Sequence, residues 1–550
     1  MNNFTFRLKK SMYLLFLSIS FTSICFSQSN NFELVKGLEL MDLIYQNLDQ
    51  HFVDETKPGK LSKVAIDAML KELDPYTVYY HEANMEDYRL MTTGQYGGIG
   101  ALIRKIGDYI YISEPYEGNP AQKSGLRAGD KILSIDGKDM HKKHSDDVSN
   151  ALKGPKGTTI QVRILRNNSE ELTIPITRDE IKIPDVPYAG LLDNSIGYIR
   201  LSSFTQTASE EVKKAFLDLK KQGMKELIFD LRGNGGGLLM EAVKIVNFFT
   251  QKDQIVVTTK GRIQEENRVY KTTEEPLDLT IPLVVLIDDG SASASEIVSG
   301  SLQDLDRAII VGQTSFGKGL VQRTFDLKYG SKIKLTIAKY YTPSGRCVQK
   351  LEYYEKDEDE KPKVIPDSLI RKFKTLNGRE VIDGRGIEPD ISIDNKDYSR
   401  LTAMIVGKNF IFNYASDYKQ KHVTIAEPTT FALSDKEYAD FKQVILKDTF
   451  DYSTASEEML RKMKKTAEEE GYFEDTKQEY EALFKKVTPS KERDLEKFKT
   501  EIKDILENEI ISRYYYQKGR AMHEFRNDNY VDKAKTVLKN PSEYNKILKK

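Results

Sequence analysis

Three short stretches carry residues able to do covalent chemistry. The first, GSASASEIVSG (Gly290 to Gly300), sets serines among alanines. An apolar strand pattern, IPLVVLID, precedes it, and a helical pattern, EIVSGSLQDL, follows. A strand, tight turn and helix can expose one serine hydroxyl as a nucleophile, and the first helix amides can donate to an oxyanion. The second stretch, TSFGKGLVQ (Thr314 to Gln322), holds a lysine between two glycines and leads into a strand pattern. On a strand, Lys318, Leu320 and Gln322 share one face. A lysine in an apolar setting gives up its proton more easily and can then take one from a serine, with Gln322 holding the amine. The third, FDLRGNGGGLL (Phe229 to Leu239), runs from a buried strand into a glycine-rich loop and a helix. Gly235 and Gly236 are its candidate oxyanion donors. Each stretch also has a plain reading: a small-residue loop, a surface lysine in a turn, and a flexible glycine connector.

Other chemistries fit less well. The glycine loop lacks a Gly-Lys-Ser/Thr ending, and its spacing misses the dinucleotide fingerprint. The six histidines all lie outside Asp185 to Ile393, so a Ser-His-Asp triad would need one from elsewhere in the chain. No cluster of histidine, cysteine and carboxylate suggests zinc, and the reading needs no metal, nucleotide or cofactor. Ser315 and Lys318 formally match S-x-x-K, but glycines flank the lysine and the companion motifs are missing, so Ser293 is preferred. Asp304 follows Ser293 by eleven residues. Along a helix that is about 16 Å, too far to touch the serine; a bond to Arg307 is expected instead.

The elements that must position these groups change character along the chain. RLKK, then SMYLLFLSISFTSICFS, reads as an export signal over residues 1–27. Its apolar run is short for a membrane span, and Ile24 disfavours lipid attachment at Cys25. Residues 28–90 show helical periodicity, broken at Pro75 in ELDPYTVYY. Residues 91–180 read as short strands with one helix, SDDVSNALKG, capped by Ser145. Residues 181–395 alternate strands and helices in an α/β pattern, with LEYYEKDEDEKPKV as an exposed charged loop. Residues 396–550 are helical, and Leu495, Phe498, Ile502, Ile505, Leu506 and Ile510 form one apolar stripe. The balance of 83 basic against 84 acidic residues argues against a general nucleic-acid binder. Of two cysteines, Cys25 and Cys347, only the second survives removal of the signal, so no intrachain disulfide is expected.

Together GSASASEI, Asp304, FGKGLVQ, DLRGNGGG, YYTPSGR (Tyr340 to Arg346) and GRGIEPD (Gly384 to Asp390) resemble the carboxyl-terminal processing proteases, the tail-specific serine peptidases. The resemblance implies a multidomain α/β fold. It would have a crotonase/ClpP-like α/β protease core, an inserted β-rich PDZ domain, an N-terminal helical segment and a C-terminal helical domain. It assigns Ser293 as nucleophile, Lys318 as general base and Gln322 as its orienter, with the Ala294 amide joining a glycine amide in the oxyanion hole. Asp304 falls at the family's acid position. The resemblance also makes GGIGA a carboxylate-binding turn, with Gly98, Ile99, Gly100 and Ala101 gripping a peptide end. Lys153 stands where several relatives carry an arginine that couples the PDZ domain to the active site; lysine lacks the planar fork. The expected partners are protein or peptide substrates with free C-termini, with a homodimer and an adaptor protein left open, and the expected location is the periplasm, attached to the inner membrane if the signal is not cleaved. Two rival readings are an inactive PDZ scaffold that binds tails and a crotonase-like acyl-thioester enzyme.

Overall fold

The computed structural model describes residues 31–82, 85–193, 195–394 and 398–549. The expected export signal lies outside them. Helix α1 covers residues 31–51, followed by α2 (Pro58–Lys71), strand β1 (Val78–Tyr80) and α3 (Met85–Thr93). Pro75 ends helical periodicity before β1, as the sequence predicts.

A stem of two antiparallel strands, β2 (Gln95–Gly98) and β9 (Asp179–Lys182), closes the base of the β-rich domain. Between them run β3 (Ala101–Ile106), β4 (Tyr109–Pro115), α4 (Pro120–Lys123), β5 (Lys131–Ile135), β6 (Lys138–Asp139), α5 (Ser145–Leu152), β7 (Thr159–Arg166) and β8 (Glu170–Thr177). Ile160, Val162 and Ile164 alternate inward along β7. The sheet order is β3-β4-β5-β7-β8, which leaves β3 on an edge. Ser145 is the first helical residue of α5, not its cap; His144 precedes it, and its N–H donates to Asp147.

The α/β core follows: β10 (Tyr188–Leu192), β11 (Ile196–Arg200), α6 (Ala208–Lys221), β12 (Glu226–Asp230), α7 (Leu239–Asn247), β13 (Ile255–Gly261), β14 (Arg268–Lys271), β15 (Leu283–Ile287), α8 (Ala294–Asp304), β16 (Ile309–Gly312), β17 (Leu320–Asp326) and β18 (Lys332–Tyr341). The residues of LEYYEKDEDEKPKV are not an open loop. They form a hairpin, β19 (Leu351–Lys356) and β20 (Pro362–Val364). Strands β21 (Lys372–Lys374), β22 (Glu380–Ile382) and β23 (Ile391–Ser392) complete the region.

The main sheet runs β10-β11-β12-β15-β16-β23, parallel except at β10. Every residue of β15 is buried, as expected of a strand covered on both faces. Helices α6, α7 and α8 cover one face through Val212, Phe216, Ala242, Val246 and Val298. The other face is covered from far along the chain. Val531, Ala534, Val537, Leu538, Tyr544 and Leu548 pack on Ile196, Tyr198, Ile228, Val284 and Leu286. The end of the tail is therefore a layer of the core, whereas the preceding helices form a cluster of their own. In that cluster Leu495, Ile502, Leu506 and Ile510 are buried as the stripe predicts, but two helices, Lys491–Lys497 and Lys499–Glu524, meet at Phe498.

A second sheet pairs β1, β18, β13 and β14, with β17 also against β18. Through β1, the segment before the β-rich domain enters the core, with Val78 opposite Lys334.

Candidate active site

The turn after β15 is held by the carboxylate of Asp288, which accepts from the N–H groups of Gly233 at 2.8 Å and Gly290 at 3.1 Å. The three serines of SASAS then diverge. Ser291 and Ser295 are buried and donate to the carbonyls of Leu231 and Asn234, each at 2.8 Å. Ser293, between them, lines a cavity of about 500 Å³. Its backbone sits at φ 56° and ψ −111°. That conformation is costly for a residue with a side chain, and it turns the serine out at the head of α8. Ala294 contributes the first amide of that helix, one of the donors a helix leaves without an internal partner.

The glycine loop closes on this turn. A Cβ on Gly236 would lie 2.8 Å from Ser293 Cβ and 2.9 Å from the Ala294 nitrogen. Gly235, Gly236 and Gly237 all line the cavity. The N–H of Gly236 donates to Asn234 Oδ1 at 2.9 Å. Gly236 is therefore a close-packing residue whose amide is occupied by Asn234.

Lys318 lines the same cavity. It lies two residues ahead of β17, and a bulge separates Val321 from Gln322. The simple alternation expected for Lys318, Leu320 and Gln322 therefore does not apply, although all three reach the cavity. The Gln322 amide donates to Thr336 Oγ1 at 3.1 Å, so in this arrangement it holds Thr336 and not the lysine. The Lys318 amine lies over the ring of Tyr76, 4.0 Å from its centroid. Burial lowers its pKa from the usual lysine range to about 8, and the like charge of Lys334 acts in the same direction.

One residue ties serine to lysine. The buried carboxylate of Glu296 accepts from the Ser293 N–H at 2.8 Å, Ser315 Oγ at 2.6 Å, the Gly317 N–H at 2.7 Å and the Lys318 N–H at 2.9 Å. Burial pushes its pKa up, and these donors pull it back. The S-x-x-E spacing of Ser293 and Glu296 is that of a capping box; this signal was readable in the sequence.

Known proteins share this arrangement of segments. Residues 195–358 match the model of peptidase family S41. Residues 89–165 match the PDZ domain, and residues 401–538 the C-terminal helical domain of PDZ-proteases. A CtpA-like serine protease of Staphylococcus aureus is 33% identical over 380 residues, covering 68% of this chain and 68% of its own. The chain belongs to peptidase family S41. A CtpA-like serine protease of Staphylococcus haemolyticus is 32% identical over 376 residues, again 68% of each chain. Among solved structures, the photosystem II D1 C-terminal processing protease is 28% identical; the match covers 64% of this chain and 86% of that one with a TM-score of 0.36.

In this S41 peptidase Asp304 stands outside the cavity, at the far end of α8. It accepts from Thr342 Oγ1 at 2.6 Å and pairs with Arg346 at 2.8 Å, both side chains buried. The expected partner Arg307 instead donates to the carbonyl of Phe249. Asp304 is a structural ion pair and not a supporting acid. In the PDZ domain, Gly98 ends β2 and Ala101 begins the edge strand β3. Ile99 and Gly100 form the turn between them, Gly100 at φ 72°, with the Ile99 side chain in the domain core. Lys153, just past α5, donates to Asp87 Oδ1 at 2.6 Å. Asp87 belongs to α3, whose Tyr88, Met91 and Thr92 line the active-site cavity.

Proposed function

We propose that this S41 serine protease cleaves protein substrates near their free C-termini by a Ser-Lys mechanism. The observation that carries the reading is that Lys318 and Ser293 line one cavity, with the lysine's pKa drawn down to about 8 by burial. A neutral Lys318 takes the Ser293 hydroxyl proton as Oγ attacks the scissile carbonyl. The amides of Ala294 and Gly235 receive the oxyanion. The protonated lysine then gives its proton to the departing amine, leaving an acyl-enzyme on Ser293. Water, activated by the same lysine, hydrolyses the ester. In productive form the amine reaches the Ser293 hydroxyl from its place over the Tyr76 ring, and Gln322 exchanges Thr336 for the lysine.

The PDZ domain would hold a substrate tail as an added strand on the open edge of β3, its carboxylate on the amides of the Gly98–Ala101 turn. Lys153 and Asp87 give that domain a path to α3 and so to the cavity. We place the protein outside the cytoplasm, on the basic-then-apolar N-terminus; cell fractionation tests this.

The deciding experiment presents an unfolded protein with an apolar tail to the wild-type chain, alongside the same protein with an amidated tail. Wild type cuts the free-tailed substrate faster, and Ser293→Ala and Lys318→Ala cut neither. Tail binding by the wild-type chain without cleavage would establish the scaffold reading instead.

A further inference from the structure

The segment Asp74 to Tyr80 lies ahead of the PDZ domain in sequence, outside the peptidase core that carries Ser293 and Lys318. Its geometry is heavily determined. Asp74 is buried and accepts from the N–H groups of Tyr76 at 2.7 Å and Thr77 at 2.8 Å, and from Thr77 Oγ1 at 3.0 Å. Thr77 Oγ1 in turn accepts from the Thr336 N–H at 3.3 Å. The following strand, β1, adds to the edge of β18, with Tyr79 opposite Ile333. On the far side, the Tyr76 hydroxyl meets that of Tyr353 in β19 at 2.9 Å, and the two rings stand edge to face at 5.5 Å. Fixed from both sides, the Tyr76 ring presents its face to the Lys318 amine at 4.0 Å.

From this geometry we infer that Tyr76 is a positioning residue for the general base: its ring walls the Lys318 amine from water and holds it without a carboxylate. The inference rests on Lys318 being the base. A base must be both located and uncharged. An acidic partner would locate an amine but would also stabilise its ammonium form. An aromatic face attracts the cation more weakly and excludes solvent on that side, so the amine is kept in place and its charged form is still disfavoured.

The other groups facing Lys318 fit this division of labour. Lys334 on β18 opposes its charge. Glu296 on α8 and Asp74 favour that charge, but the first is spent on four donors and the second on its own turn. Tyr353 on β19 faces Tyr76 and serves it as an anchor. Burial pushes the Tyr76 phenol far above its ordinary range, so it stays neutral. Lys334 has its own ring from the same segment, Tyr80, at 5.9 Å.

The test measures kcat/KM against pH for the full chain on an unfolded protein substrate. Tyr76→Ala and Tyr76→Gln admit water to the amine. The acid limb of their profiles moves up by about one pH unit, which appears as an about tenfold loss near neutral pH that recovers in alkali. Tyr76→Phe keeps the ring and keeps the limb in place, even if the loss of the Tyr353 bond lowers the overall rate. The inference is overturned if Tyr76→Ala or Tyr76→Gln loses the same factor at every pH, or if Tyr76→Phe moves the limb as far as they do. If Tyr76→Ala does not fold, Tyr76→Gln and Tyr76→Phe decide. Failure of the underlying reading is seen separately, as activity that survives Lys318→Ala.

Discussion

Lys318 can act as a base only while its amine stays dry. On the proposed Ser-Lys mechanism, its drop to about 8 means that kcat/KM should climb as pH rises through that value and level off above it, because there only the neutral amine accepts the serine proton. Lys318→Arg, cationic at every accessible pH, should show no climb and no cleavage. Glu296 gives a second residue-scale prediction. Glu296→Ala leaves four donors unmet in a buried place, which should cost at least about 2 kcal/mol of unfolding free energy in urea titrations. Its activity loss should exceed that of an equally destabilised surface variant, since the bonds it loses align serine with lysine. The residues pointed to Ser293 by weighing motifs and not by any contact. Only the partners of Ser291 and Ser295 single out Ser293 by physical means, and no local pattern announces such partners. Glu296 was missed although its S-x-x-E spacing offered a signal, whereas Tyr76 had none, because a ring meeting an amine from a distant segment leaves no periodic trace.

At the scale of elements, the site depends on how neighbouring pieces are joined. Helix α3 is tied to the PDZ domain by Lys153 and Asp87, and again by Arg89 with Glu180 at 2.8 Å. Lys153→Met should leave the cutting of a short amidated peptide nearly intact but reduce the preference for a free-tailed over an amidated protein substrate. Paired assays on these substrates measure the difference. The ion pair at the end of α8 makes a contrasting case. Arg346→Met strands the buried Asp304 and should cost about 3–5 kcal/mol of stability, and adding Asp304→Asn should recover part of it in a double-mutant cycle. The strands of the core were legible because parallel strands buried on both faces read as continuous apolar runs. The bulge in β17 was not, since it is imposed by pairing with β18 and not by the residues beside it.

For the whole molecule, the tail helices Asn529–Leu538 and Pro541–Ile547 matter most. An amphipathic stripe shows that a helix must pack but not against what, so sequence alone placed these helices with the rest of the tail. They are pinned beside the active site as well. Arg232, at the start of the glycine loop, bonds Asp230 at 2.6 Å and Asp528 at 2.7 Å. Each large apolar side chain buried there stabilises by about 1.5–3 kcal/mol. Val537→Asp, at a fully buried position, should therefore abolish soluble expression of the full chain, whereas Val444→Asp at an exposed position of the helical cluster should not.

That cover is synthesised long after the nucleophile. While a ribosome is still making the chain, the sheet carrying Ser293 has one bare apolar face, and the arginine that steadies the glycine loop has half its partners. A growing chain is thus expected to be harmless to itself and to its neighbours until residue 548 has emerged. Labelling by a serine-directed probe in a synchronised translation reaction should begin only after that point; labelling of shorter nascent chains would show that the catalytic turn matures without its roof.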